Sequence, residues 1–76
     1  MIKIELKLFA TIARYLPDSS ESFLVEDGAT IRQIVDTLGI PKSEVKLTFV
    51  NGIQKPLDHV LNDGDRLGIF PPVGGG

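Results

Sequence analysis

Strict alternation of apolar and charged residues near the start of the chain constrains its fold most. From position 2 to position 8 every second residue is aliphatic, and the residues between them are charged. The aliphatic residues are Ile2, Ile4, Leu6 and Leu8. Because successive side chains of a strand point to opposite faces, this pattern predicts a strand with one buried face. Phe9 has the parity of the charged positions, so it is predicted to point away from the core.

Further strands follow from shorter apolar patterns. Residues 21–26 predict a second strand that pairs with the first as a hairpin, and residues 45–49 predict a third. Asn51-Gly52 is a typical two-residue hairpin turn, after which a short strand returns through residues 53–55. Residues 66–70 predict the last strand. Leu67 and Ile69 share one face of it, and Phe70 lies on the other face. Residues 10–16 fit either a short helical turn or a wide loop.

One segment has helical periodicity. Its apolar residues are Ile31, Ile34, Val35 and Leu38. Thr30 and Gln33 have the spacing of a capping box, in which each side chain binds the backbone N–H of the other residue. Gly39 supplies the residue type that commonly ends a helix. The pattern therefore predicts one short amphipathic helix.

A single helix covers only one face of a sheet, so the opposite face is expected to meet solvent. The fold class predicted is α+β, with a mixed sheet of four to five strands packed on one main helix. If the first and last strands lie side by side and parallel, Phe9 and Phe70 come together on the open face. Val50 is a third candidate for an apolar patch there, and Lys7, Arg14 and Arg66 are candidates for its polar rim.

Composition narrows the classes of function. A length of 76 residues allows one small domain, and a net charge of −2 with eight basic and ten acidic residues offers no basic stripe for nucleic acid. No apolar run approaches the roughly 20 residues of a membrane span, so a cytoplasmic protein is expected. The absence of cysteine excludes disulfides and thiolate catalysis. His59 and the Asp63-Gly64-Asp65 turn lack the companions of a metal site, and none is expected.

The final six residues are Pro71-Pro72-Val73-Gly74-Gly75-Gly76. Glycine adds no side chain and costs the most backbone entropy to order, so this run does not help the fold. The sequence predicts a small folded domain over residues 1–70 and a flexible tail over residues 71–76. A slim tail of this kind can enter a narrow active site of another protein.

The order of elements, the Leu8-Phe9-Ala10 segment, the Asn51-Gly52 turn and the diglycine ending together resemble the MoaD/ThiS family of β-grasp, ubiquitin-like sulfur-carrier proteins. The resemblance is greatest to the small subunit of molybdopterin synthase. Gly74 departs from the alanine or other small residue common there, which leaves the pathway less defined.

The resemblance implies a carrier rather than an enzyme. An activating enzyme of the ubiquitin-activating type would use ATP to adenylate the carboxylate of Gly76, and sulfur would then convert it to a thiocarboxylate. The chain itself would bind no cofactor. Expected partners are that adenylyltransferase and the large subunit of molybdopterin synthase or another sulfur acceptor.

Residues expected to contact these partners are Pro71, Pro72, Val73, Gly74, Gly75, Phe9, Phe70 and Val50. Three alternatives remain open at this point. The chain could be a ubiquitin-like modifier conjugated through Gly76, a carrier for thiamine or cysteine biosynthesis, or a plain β-grasp interaction module.

Overall fold

The computed structural model describes residues 1–72 and contains five strands and one α-helix. Their bounds are β1 (Ile2–Leu8), β2 (Phe23–Val25), α1 (Ile31–Leu38), β3 (Leu47–Val50), β4 (Ile53–Gln54) and β5 (Arg66–Phe70). Three short 3-10 helices lie in the connections, at Ala10–Tyr15, Ser20–Ser22 and Lys42–Glu44. The element order is the one predicted, although β2 is shorter than residues 21–26 because a 3-10 turn precedes it.

The strands form one mixed sheet in the order β2-β1-β5-β3-β4. β1 runs parallel to β5 and antiparallel to β2, and β3 runs antiparallel to both β4 and β5. The segment between β1 and β5 includes α1, as the predicted crossover requires. The α+β fold with a mixed sheet on one main helix is therefore confirmed.

The core lies between the sheet and α1 and is built almost entirely from aliphatic side chains. Its least exposed members are Ile4, Leu6, Ile12, Ile31, Val35, Leu61, Leu67 and Ile69. Ile4 and Leu6 come from the alternating segment that predicted β1. Ile12 explains why residues 10–16 are not a loop: the 3-10 helix at Ala10–Tyr15 brings this side chain to full burial. The sheet face opposite α1 stays open.

Both ends of α1 have the predicted signals. The Thr30 hydroxyl accepts the backbone N–H of Gln33, and the Gln33 side chain accepts the backbone N–H of Thr30. Gly39 adopts the left-handed conformation with φ of 75° at the carboxyl end. The backbone N–H groups of Ile31 and Arg32 donate to carbonyls of the loop that precedes β5. Donors that a helix start normally leaves free are thus bound within the domain.

Val50 of β3 lies on the other face of the sheet from the one predicted. Val50 is 4% exposed and belongs to the core, so its expected place in the open-face patch is wrong. Val50 lies opposite Leu67 of β5, and directly paired residues of neighbouring strands share a face. Because Leu67 is fully buried, Val50 is buried with it, and Phe49 turns to the open face instead.

Candidate functional site

Three phenylalanines form an aromatic patch on the open face of the sheet. The rings of Phe9 and Phe70 stack with their centroids 4.2 Å apart and an interplanar angle of 5°. The ring of Phe49 meets Phe70 edge to face, at 5.5 Å and 79°. Phe9 is 39% exposed, and the other two are half-buried. The predicted meeting of Phe9 and Phe70 is therefore present, and Phe49 rather than Val50 completes the group.

Parallel pairing of β1 with β5 positions the stacked pair. Leu8 is opposite Ile69, so the residues that follow them, Phe9 and Phe70, project to the open face side by side at the carboxyl ends of β1 and β5. The backbone N–H of Phe9 donates to the carbonyl of Ile69 at 3.3 Å and extends this ladder. A Cβ on Gly68 would lie 3.6 Å from Cε2 of Phe9, which is ordinary van der Waals contact, so the ring of Phe9 lies over Gly68. Gly68 therefore forms part of the floor of the patch.

Ala10 turns the chain away directly after Phe9. Its φ of 54° lies in the left-handed region that only glycine adopts without strain. The following residues form the 3-10 helix that buries Ile12. The ring of Phe9 is therefore held between a strand end and a strained turn, which fixes the direction of its side chain.

Polar groups border the patch on one side. Lys7, Asn51, Gly52 and Arg66 line, with the three rings and Gly68, a shallow depression of about 420 Å³. Lys7 pairs with Glu5 at 3.3 Å, and Arg66 is exposed. The predicted rim residues Lys7 and Arg66 thus both line this side of the patch, and Glu5 compensates part of their positive charge.

Arg14, the third predicted rim residue, does not line this depression. Its guanidinium donates to the Tyr15 hydroxyl at 3.2 Å and lies 3.9 Å from the Glu44 carboxylate. The Tyr15 hydroxyl and, more weakly, Glu44 raise the pKa of Arg14 above its ordinary value. Arg14 is therefore engaged on another part of the surface.

A hydrogen-bonded cluster beneath the rim connects two turns, and only its turn character was predicted. The Asn51 amide donates to one carboxylate oxygen of Asp65 at 2.9 Å, and the backbone N–H of Asn62 donates to the other at 2.7 Å. The backbone N–H of Arg66 donates to the Asn51 side-chain oxygen at 3.0 Å. Asp65, at 8% exposure, ties the β3–β4 turn to the start of β5 and so holds Arg66 and Phe49 in register.

The sheet ladder ends where the predicted tail begins. The carbonyl of Phe70 accepts the backbone N–H of Lys46 at 2.8 Å. Pro71 is half-buried and Pro72 exposed, and neither has an N–H to donate. Val73, Gly74, Gly75 and Gly76 lie outside the described residues.

The described part of the chain offers little for other chemistry. Residues 1–72 contain no cluster of three side chains able to hold a metal ion. Within the same range no helix is long and apolar enough to cross a membrane. His59 is half-buried in the loop before β5, where its backbone carbonyl accepts the N–H of Ile31. Its backbone N–H donates to the carbonyl of Pro56 at 3.0 Å, so the backbone of His59 joins this loop to the start of α1.

Comparison with known proteins identifies relatives over almost the whole chain. The profile of a family described as Mut7-C ubiquitin matches residues 1–74. Protein RnfH from Paraburkholderia xenovorans is 42% identical over 53 residues, which cover 62% of this chain and 48% of that protein. The chain thus spans about half the length of that relative.

Two solved structures are similar from end to end. A putative molybdopterin converting factor, subunit 1, from Pyrococcus furiosus has a TM-score of 0.75 and 25% identity, covering 96% of this chain and 100% of that one. Small archaeal modifier protein 1 from Haloferax volcanii has a TM-score of 0.72 and 26% identity, with coverage of 96% and 100%.

Proposed function

Because this chain belongs to the Mut7-C ubiquitin family, we propose that it is a ubiquitin-like sulfur carrier whose functional group is the carboxylate of Gly76. Its membership and its structural relatives confirm the MoaD/ThiS-type β-grasp fold. The observation that carries the proposal is the end-to-end similarity to the putative molybdopterin converting factor subunit, combined with the glycine ending. Neighbours of this type are small carrier or modifier proteins, which agrees with a chain that is not itself an enzyme.

The proposed chemistry takes place on one carboxylate. A partner adenylyltransferase of the ubiquitin-activating type joins the Gly76 carboxylate oxygen to the α-phosphate of ATP, and diphosphate leaves. A hydrosulfide ion from the sulfur donor then attacks the carbonyl carbon of this mixed anhydride, and AMP leaves with the bonding electron pair. The product is a thiocarboxylate at Gly76, whose sulfur passes to a molybdenum- or tungsten-pterin precursor. The ATP and the sulfur donor belong to the partners.

The domain's part is to dock and to present the tail. We place the domain boundary after Phe70, where the last ladder bond ends, and assign Pro71–Gly76 to the tail. Six extended residues span at most about 20 Å, enough to reach into a cleft while the domain stays outside. Pro71 and Pro72 restrict the base of the tail and lower the entropy lost when it is inserted.

The aromatic patch is the proposed docking surface for the activating enzyme and the sulfur acceptor. Exposed aromatic groups that cluster beside a polar rim are the usual anchors of protein interfaces. Phe70 is followed directly by Pro71, so the docking surface and the base of the tail adjoin. A partner that contacts Phe9 and Phe70 therefore has the tail within reach.

A second candidate function is protein modification. Similarity to small archaeal modifier protein 1 favours it, because that protein is a modifier by name and matches over the same length. The activation step would be the same, and a lysine amine would replace the sulfur nucleophile. Carriers for thiamine or cysteine biosynthesis differ from the first proposal only in the final acceptor.

Intact-protein mass spectrometry of the chain isolated from its own cells tests the proposal. A terminus at Gly76 with one oxygen exchanged for sulfur is the expected result, and a branched conjugate through Gly76 would favour the modifier. A variant with one alanine added after Gly76 serves as the control. It is expected to keep the fold and lose both products. An unmodified chain under sulfur-replete conditions, or activation of the extended variant, would refute the proposal.

A further inference from the structure

A second depression lies at the outer edge of the sheet, between β2 and α1. It has a volume of about 490 Å³, and its floor consists of the buried side chains of Val25, Ala29 and Ile34. Exposed residues of the β2–α1 connection and of the outer surface of α1 form its walls. It is on the helix side of the sheet, whereas the aromatic patch is on the opposite face. We call it the β2–α1 groove.

The strand beside this groove has backbone groups without a neighbour. β2 pairs only with β1, and an antiparallel strand turns alternate N–H and C=O groups away from its partner. Within residues 1–72, backbone hydrogen bonds outside the strand ladders do not involve Phe23, Leu24 or Val25. Leu24 is 55% exposed. β2 is therefore an edge onto which a further strand can pair.

The other edge of the sheet is protected in a way that β2 is not. β4 has only two residues, Ile53 and Gln54, and Pro56 follows shortly after with no N–H to donate. Short length and proline are common means of preventing strand addition. Phe23–Val25 contains neither proline nor lysine. β2 is also short, with three residues, so the two edges differ in the nearby proline rather than in length, and β2 lacks that block.

The charge around the groove indicates what it binds. Glu26, Asp27 and Asp36 line it, and none of its lining residues is basic. Asp27 pairs with the amino group of Met1 at 3.3 Å, while Glu26 and Asp36 form no ion pair among residues 1–72. A basic segment would meet two acidic side chains that have no competing ion pair in the described domain.

We propose that the β2–α1 groove binds an extended, basic segment of a partner protein, which pairs with β2 as a sixth strand of the sheet. Main-chain hydrogen bonds to β2 supply affinity, and alternate side chains reach the apolar floor and the acidic wall. A second copy of this chain is disfavoured there, because antiparallel pairing of two β2 strands about Leu24 would bring Asp27 toward Glu21 of the other copy. The binding is separate from the Gly76 chemistry.

A defined probe tests this inference on the full chain. The probe is a synthetic hexapeptide of alternating valine and lysine with blocked ends, titrated into 15N-labelled protein. Amide shifts are expected to concentrate in residues 23–29 and 33–37 and to weaken with added salt. The same peptide with alternate amides N-methylated keeps its charge but loses donors, and it is expected not to bind.

Charge reversal tests the acidic wall. The double variant Glu26→Lys and Asp36→Lys is expected to weaken binding of the lysine peptide about tenfold, since two attractive contacts become repulsive. It should also gain affinity for a second peptide, in which glutamate replaces every lysine of the probe. The matched control, Asp18→Lys with Asp58→Lys, changes the net charge equally at exposed positions outside the groove, and it should keep most of the affinity.

Several results would overturn the inference. One is an absence of shifts at millimolar lysine peptide, and another is equal binding of the N-methylated peptide. A third is a set of shifts confined to the aromatic patch. A dimer in analytical ultracentrifugation, with concentration-dependent amide shifts confined to residues 23–25, would also replace the basic partner with self-association. Because Glu26 and Asp36 are exposed, the reversed variant should unfold at the temperature of the control.

Discussion

Removal of the Phe9 ring should lower the free energy of unfolding measurably and should also weaken partner binding. Phe9 is 39% exposed, so about three-fifths of its surface is buried, and that share of a phenylalanine contributes about 1–2 kcal/mol. Stacking on Phe70 at 4.2 Å adds about 0.5–1.5 kcal/mol. Phe9→Ala should therefore destabilise the domain by about 1.5–3 kcal/mol, as measured by urea unfolding.

A double-mutant cycle isolates the stacking contribution. Phe9→Ala, Phe70→Ala and the double variant are compared with the parent chain, and the coupling energy is expected near 1 kcal/mol. Leu24→Ala paired with Phe9→Ala is the matched control, because Leu24 lies on the edge strand β2, outside the aromatic patch, and shares no ring contact with Phe9. A Phe9–Phe70 coupling close to zero would show that the rings do not stack in solution.

Partner binding supplies the functional half of this prediction. Phe9→Ala should remain folded and reduce association with the activating enzyme by tenfold or more, about 1.4 kcal/mol, as expected for an interface anchor. Leu24→Ala removes a comparably exposed apolar side chain at the sheet edge and should leave that association unchanged. Equal effects of the two substitutions would refute the assignment of the aromatic patch as the docking surface.

Three further substitutions test the elements that hold the site. Ala10→Gly should raise the free energy of unfolding by about 0.5–1 kcal/mol because glycine adopts a positive φ without strain. Ala13→Gly, in the same 3-10 helix, is the control and should lower it. Thermal unfolding in which both variants are less stable than the parent chain would refute the strain at Ala10. Asp65→Ala should cost about 2–4 kcal/mol in urea unfolding, since two hydrogen bonds to a buried carboxylate are lost, and a cost near zero would contradict the cluster. Thr30→Ala should cost about 1 kcal/mol and speed amide exchange at Gln33, and unchanged exchange there would argue against the capping box.

Several features of the fold could be predicted because local residues determine them. Alternation in β1 fixes which face is buried, since every residue of one parity is aliphatic and every residue of the other is charged. Asn51 and Gly52 both adopt positive φ, as their hairpin turn requires. Thr30 and Gln33 needed only their spacing to predict the helix start. Contacts within a few residues are visible in a sequence.

The orientation of β3 could not be predicted, because it depends on residues that are distant in the sequence. Leu47, Phe49 and Val50 place apolar side chains on both faces, so the sequence pattern does not decide which face is buried. The buried face of β3 is determined by its pairing with β5. Val50 lies opposite the buried Leu67, and Phe49 lies opposite Gly68 on the open face. That pairing joins residues far apart in the chain. The hydrogen bond between Asn51 and Asp65 also joins residues that are distant in the sequence, so it could not be predicted either.

The topology is compatible with the proposed coupling of docking and tail presentation in so small a domain. β1 and β5 are parallel neighbours, so their carboxyl ends lie side by side, and the chain leaves the sheet at Phe9 and at Pro71 in neighbouring positions. β5 is also held on its other side by β3, and the Lys46–Phe70 hydrogen bond secures its last residue. The base of the tail is therefore fixed by two ladders that do not depend on the phenylalanine side chains. Loss of a ring should weaken docking without moving the point from which the tail starts.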